Sequence, residues 1–178
     1  MQIKNTNVQY GIVSKLFHWL TALLVLGMLG LGFYMGGMAG GPEKTATYAL
    51  HKSIGATILI LTALRVIWHT TTPTPRALES LKTWEKLAAA AVHKALYVLL
   101  LAMPLSGVLM SNAFGRPVSV FGLFDLPVLI GENRDLGGKI AEAHEFMAIA
   151  LIVVIAMHLL AAIKHAIINK DGVLRRML

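Results

Sequence analysis

Seven histidines stand in a chain that carries only nine carboxylates. Two of them, His144 and His158, lie fourteen residues apart in the apolar run AEAHEFMAIALIVVIAMHLLAAIKHAIINK. On a helix that interval is about four turns, so both rings point to nearly one face, ~21 Å apart along the axis. The hydrocarbon core of a bilayer is about 30 Å thick. One helix therefore offers an imidazole near each side of a membrane, aimed the same way. Histidine is costly in lipid, and its ring nitrogens ligate metals or pass protons. The chemistries to weigh are ligation of a metal centre and proton relay. For any single histidine the plain reading is a hydrogen-bonded packing residue.

The elements that position these rings follow from composition. The chain has 178 residues, enough for one domain over 1–178. It is 56% hydrophobic and 14% charged, with a mean hydropathy of +0.68. Soluble domains carry about 25% charged residues, so this composition indicates an all-α integral membrane protein. The absence of cysteine excludes disulfides, zinc-thiolate sites, cysteine-held iron–sulfur clusters and cysteine-linked haem. The net charge of +7 does not indicate nucleic acid, because the basic residues flank apolar segments and act as topology signals.

Four transmembrane helices are expected, over about 13–38, 48–70, 84–111 and 141–168. The first run is too long for a signal-peptide core. Its glycines, Gly27, Gly30, Gly32, Gly36 and Gly37, read as close helix-packing positions, and a flat cofactor would need the same small residues. TTTPTP ends the second segment, and Pro104 is expected to kink the third. The connection from 112 to 138 is long and should hold a short interfacial segment around SVFGLFDLP. With the N-terminus inside, nine Lys and Arg fall on that side, against Lys44, Arg116, Arg134 and Lys139 on the other. That bias predicts both termini in the cytoplasm.

Alternating helix direction then sorts the histidines by depth. His51 and His144 share an outer level, and His18 and His158 an inner one. His69 and His93 are also inner, and His165 lies beyond the apolar run. Two facing pairs, with one helix supplying a member of each, suit two planar cofactors clamped above and below their metals. Helix bundles build such sites from facing side chains. Two axial imidazoles saturate a haem iron and favour electron transfer over oxygen binding.

The stretches YGIVSKLFHWLTA, LHKSIGATILILTALRVIWH, PLSG…GRPVSVFG and AMHLLAAIKHAIINKDGVLRRM resemble the bacterial cytochrome b561 family, small four-helix membrane proteins with two b-type haems. The resemblance covers nearly the whole chain. It implies a four-transmembrane-helix bundle in the bacterial inner membrane that holds two haem b. Its implied iron ligands are His18 with His158 for the inner haem and His51 with His144 for the outer one. His93 competes for the inner site. The family includes superoxide oxidases that pass electrons from superoxide at the periplasmic face to ubiquinone. Other relatives serve as electron-transfer subunits for a dehydrogenase or hydrogenase, or for a periplasmic carrier.

Anionic haem propionates need basic partners, for which Arg65, Lys52 and Arg116 are expected. Lys52, Arg116, Arg134 and Lys139 would also attract a small anion at the outer face. Glu142 and Glu145 read as helix N-terminal charges favoured by the dipole. Tyr97, His93 and Lys94 could line a quinone pocket. Two readings of other classes stand beside these: a small transporter with a histidine proton relay, and a structural anchor without cofactor.

Overall fold

A computed structural model describes residues 2–178. Four long helices dominate it: α1 (Ile12–Gly36), α2 (Pro42–Thr71), α3 (Thr83–Ala113) and α4 (Arg134–Ile163). All four are long and apolar enough to cross a membrane. A π-helical turn, Lys164–Asn169, continues α4, and a short 3-10 helix, Leu174–Arg176, closes the tail. Both termini lie at one end of the bundle, here called the terminal end. The opposite end is the loop end.

Two helices begin earlier than the apolar runs suggest. α2 starts at Pro42 rather than near residue 48, because proline at a first helical position costs no hydrogen bond. α4 starts at Arg134 rather than near residue 141, because Asn133 caps it by accepting the Leu136 amide at 3.0 Å. The polar residues 134–140 carry no apolar signal, but their backbone is helical. Glu142 and Glu145 are consequently more than two turns inside α4, too far from its start for the dipole to account for them. α3 runs through Pro104 as one continuous helix.

The connection from α3 to α4 is thereby shortened to residues 114–133. Within SVFGLFDLP it forms a two-stranded antiparallel hairpin, β1 (Ser119–Val120) and β2 (Phe124–Asp125). The hairpin docks on α2 through Ser53, whose hydroxyl contacts the Ser119 carbonyl and accepts the Phe121 amide, both at 3.0 Å.

α1 packs along α2, α2 along α3 and α3 along α4. The antiparallel α1–α2 seam is read off a ladder of contacts. From the terminal end it runs Ser14 with Trp68, His18 with Arg65, Met28 with Gly55, and Gly32 with His51. Among the α1 glycines expected to pack closely, Gly32 does so, whereas Gly27, Gly30 and Gly36 face open space. Midway along the bundle Val25, Ile58, Leu100 and Leu151, one from each helix, form a buried apolar cluster. Leu151 is seven residues from both His144 and His158. The cluster therefore divides the bundle into two halves with a histidine pair in each.

Candidate functional site

At the loop end the rings of His51 and His144 have centroids 6.4 Å apart. At the terminal end His18 and His158 stand 6.1 Å apart. One metal held between two imidazoles takes about 2 Å for each metal–nitrogen bond and about 1 Å from nitrogen to ring centre, hence a separation of about 6 Å. Both pairs match that span. His93, which also faces His158, is closer at 5.3 Å. Among the described residues no group of three or more His, Cys, Asp or Glu is placed to hold a bare ion. A metal at either pair would take its other ligands from a cofactor, as an iron porphyrin provides.

The loop-end pair opens on a cavity of about 840 Å³. Its walls are mostly apolar, and Gly32, Gly55 and Gly107 supply flat patches. A Cβ added at Gly107 would lie 3.4 Å from Cε1 of His144, and one at Gly32 would lie 3.6 Å from Cε1 of His51. The two glycines thus let each ring lie against the backbone of a neighbouring helix. Ser106 settles the His144 tautomer. Its hydroxyl donates to the Met103 carbonyl at 2.6 Å, so toward His144 Nδ1, at 2.8 Å, it can only accept. Nδ1 therefore carries the proton, which leaves Nε2 with a free lone pair. His51 Nδ1 is buried without a protein partner. Volume, wall and donor chemistry at this end fit a flat porphyrin.

Cations and carboxylates share the wall of the cavity. Lys52 and Arg116 both line it. Lys52 is held by neutral acceptors, the Ser111 hydroxyl at 3.3 Å and the Pro117 carbonyl at 3.1 Å, and among the described residues its charge has no carboxylate partner. Arg134 instead pairs with Glu132 at 3.4 Å, on the exposed surface. Glu142 and Glu145 also line the cavity.

The terminal-end pair is built differently. Arg65 Nη2 lies 3.1 Å from His18 Nδ1. Guanidinium can only donate, so Nδ1 accepts and a neutral His18 carries its proton on Nε2. Ligation of a metal through Nε2 thus requires Arg65 to release the ring. The Arg65 guanidinium also stacks over Tyr97 at 5.3 Å and, among the described residues, has no carboxylate partner. His69 lies beside Tyr97, with Nε2 3.4 Å from the Thr74 hydroxyl, and His165 pairs with Asp171 at 2.6 Å, so neither joins the pair.

Residues 9–178 match the family described as prokaryotic cytochrome b561. The chain belongs to that family. It is a membrane electron-transfer protein of a class that carries b-type haem. Cytochrome b561 homolog 2 of Escherichia coli (strain K12) is 41% identical over all of this chain and 95% of its own length. The probable superoxide oxidase CybB of Yersinia pestis is 29% identical over all of this chain and 97% of its own length. Cytochrome b561 homolog 1 of Escherichia coli (strain K12) is 29% identical over 90% of this chain and 92% of its own length.

Sequence reasoning had singled out the four paired histidines, Arg65 and Lys52. It missed Ser106, Gly107 and Trp19's link to the tail. The PLSG stretch that holds Ser106 and Gly107 carries only a resemblance. A serine and a glycine on one helix gave no separate signal that they back a histidine on another.

Proposed function

We propose that the protein is a di-haem b oxidoreductase of the bacterial inner membrane, with both termini in the cytoplasm. It would move electrons between the quinone pool and a donor or acceptor at the periplasmic face. The observation that carries this reading is the pair of imidazole couples, each spanning the distance one metal needs, on either side of an apolar septum. When bound, each haem would supply a one-electron redox centre. His51 with His144, and His18 with His158, would be the ligands. Ser106 would keep His144 in its ligating tautomer. Lys52 and Arg116 would hold propionates or draw in a small anion at the outer mouth. Arg65 would turn from His18 to a propionate of the inner haem, which frees the His18 ring.

The relative named as a probable superoxide oxidase supports superoxide as the donor. Two superoxide anions would each give one electron and leave as oxygen, and one ubiquinone would take both electrons with two protons. A second reading, electron transfer with a dehydrogenase, a hydrogenase or a periplasmic carrier, is favoured by the hairpin beside the outer cavity. Its tip residue Leu123 is 81% exposed and is flanked by the exposed Phe121 and Phe124.

A reduced-minus-oxidised spectrum with haem quantitation tests the class: two b-type haems per chain are expected, and a colourless purified protein would sink it. His144→Ala should remove one haem and leave the other. Mixing the oxidised protein with superoxide separates the two readings. Rapid haem reduction, followed by reoxidation with ubiquinone, selects the oxidase. Inertness to superoxide, with reduction by a protein donor, selects the second.

A further inference from the structure

The helices that carry His18 and His158 are not each other's main neighbours, since α1 packs along α2 and α4 along α3. Something must hold the two rings at 6.1 Å. The chain after α4 reverses through Lys170 (φ 51°) and Gly172 (φ 82°), both left-handed, and runs back beneath the bundle. Asp171 fixes the reversal by pairing with His165 at 2.6 Å and accepting the Val173 amide at 3.1 Å. Val173, Leu174 and Met177 are then half-buried.

The tail reaches α1 at Trp19. The Met177 carbonyl accepts the Trp19 indole N–H at 2.9 Å. The Trp19 ring in turn meets the His18 ring edge-on at 5.2 Å. A second tie crosses to the α2–α3 linker, where Arg176 donates to the Arg76 carbonyl at 2.6 Å. The Arg76 amide itself donates to the Asn7 carbonyl at 2.9 Å, so the tail also joins the N-terminal segment.

We propose that residues 170–178 are a strap that sets the separation of α1 and α4 at the terminal end and positions the His18–His158 pair. Trp19 is the positioning residue, acting on His18 through ring contact. The strap's effect on a haem rests on the di-haem reading; its effect on helix separation does not.

The chain has no cysteine, so paired spin labels can be placed cleanly. Leu16→Cys on α1 and Leu160→Cys on α4 are exposed positions near the two histidines. Pulsed dipolar spectroscopy of the full chain should give a narrow distance distribution. A chain ending at Lys170 should give a broader one, and Trp19→Phe an intermediate one. In the same variants the low-spin ferric signal and midpoint potential of the inner haem should shift. Those of the outer haem, identified as the set lost in His144→Ala, should stay unchanged. An unaltered distribution in the shortened chain overturns the strap. A broadened distribution with an unshifted inner haem overturns the positioning role. If the intact protein holds no haem, the distance result still decides the strap, and the di-haem reading fails separately.

Discussion

Ser106 shows how one hydroxyl decides what a histidine can do. Because it spends its proton on the Met103 carbonyl, it can only accept from His144, and Nε2 is left free. Ser106→Ala removes that acceptor. Loss of such an outer-shell partner typically weakens metal affinity about 10–100-fold. On the di-haem reading, transfer of haem to an acceptor protein should therefore speed up for one haem of the two. At the tail, Asp171 answers to pH. Burial alone would raise its carboxyl, but the Val173 amide and the His165 ring together hold it below the usual carboxylate range. A group lowered on folding stabilises the folded form above its ordinary value, about 3.9, and that stabilisation is lost as pH falls through the lowered one. The strap should thus stay closed at neutral pH and release only in strong acid. Trp19 fluorescence should report that release, and Asp171→Asn should loosen the strap already at neutral pH and abolish its dependence on acid.

At the scale of elements, Ser53 ties the hairpin to α2 through two contacts, with β1 and with the turn, and Lys52 of the same helix holds the Pro117 carbonyl just before it. Each such bond contributes about 1 kcal/mol net. Ser53→Ala should loosen the hairpin without disturbing the four helices, so limited proteolysis around residues 119–125 should accelerate while helical circular dichroism holds. The same substitution tests the docking reading of the hairpin. If the loop meets a protein partner, electron transfer with that partner should slow while reduction by superoxide persists. α3 and α4 are also joined at the terminal end, where Lys164 meets Glu85 at 2.7 Å and lies over the Trp84 ring at 5.3 Å. Glu85 accepts the Lys82 amide as well, so one carboxylate caps α3 and anchors the end of α4.

For the molecule as a whole, the buried cluster of Val25, Ile58, Leu100 and Leu151 is the feature shared by both halves. Leu151, 2% exposed, is equally far along α4 from His144 and His158. Leu151→Ala should cost about 2–5 kcal/mol, the range for opening a cavity in a packed core. On the di-haem reading its effect should reach both haem signals, unlike any single-ligand change. Thermal unfolding followed at the two haem bands, with a common downward shift expected, checks this.

Composition alone determined that the chain is a helical membrane protein, because a run of twenty apolar residues in lipid must satisfy its backbone within one helix. Spacing determined which histidines share a depth, because rise per residue and alternating direction are regular. Tertiary structure decided the rest. The early starts of α2 and α4 rest on a proline and an asparagine cap, which a hydropathy pattern does not register. The hairpin within SVFGLFDLP depends on Ser53, sixty-six residues earlier than Ser119. The tautomer of His144, the hold of Arg65 on His18, and the reach of Met177 to Trp19 each depend on a side chain meeting a group remote in sequence. Periodicity within a segment places a residue on a face and at a depth. Only the packing of one segment against another says what stands opposite.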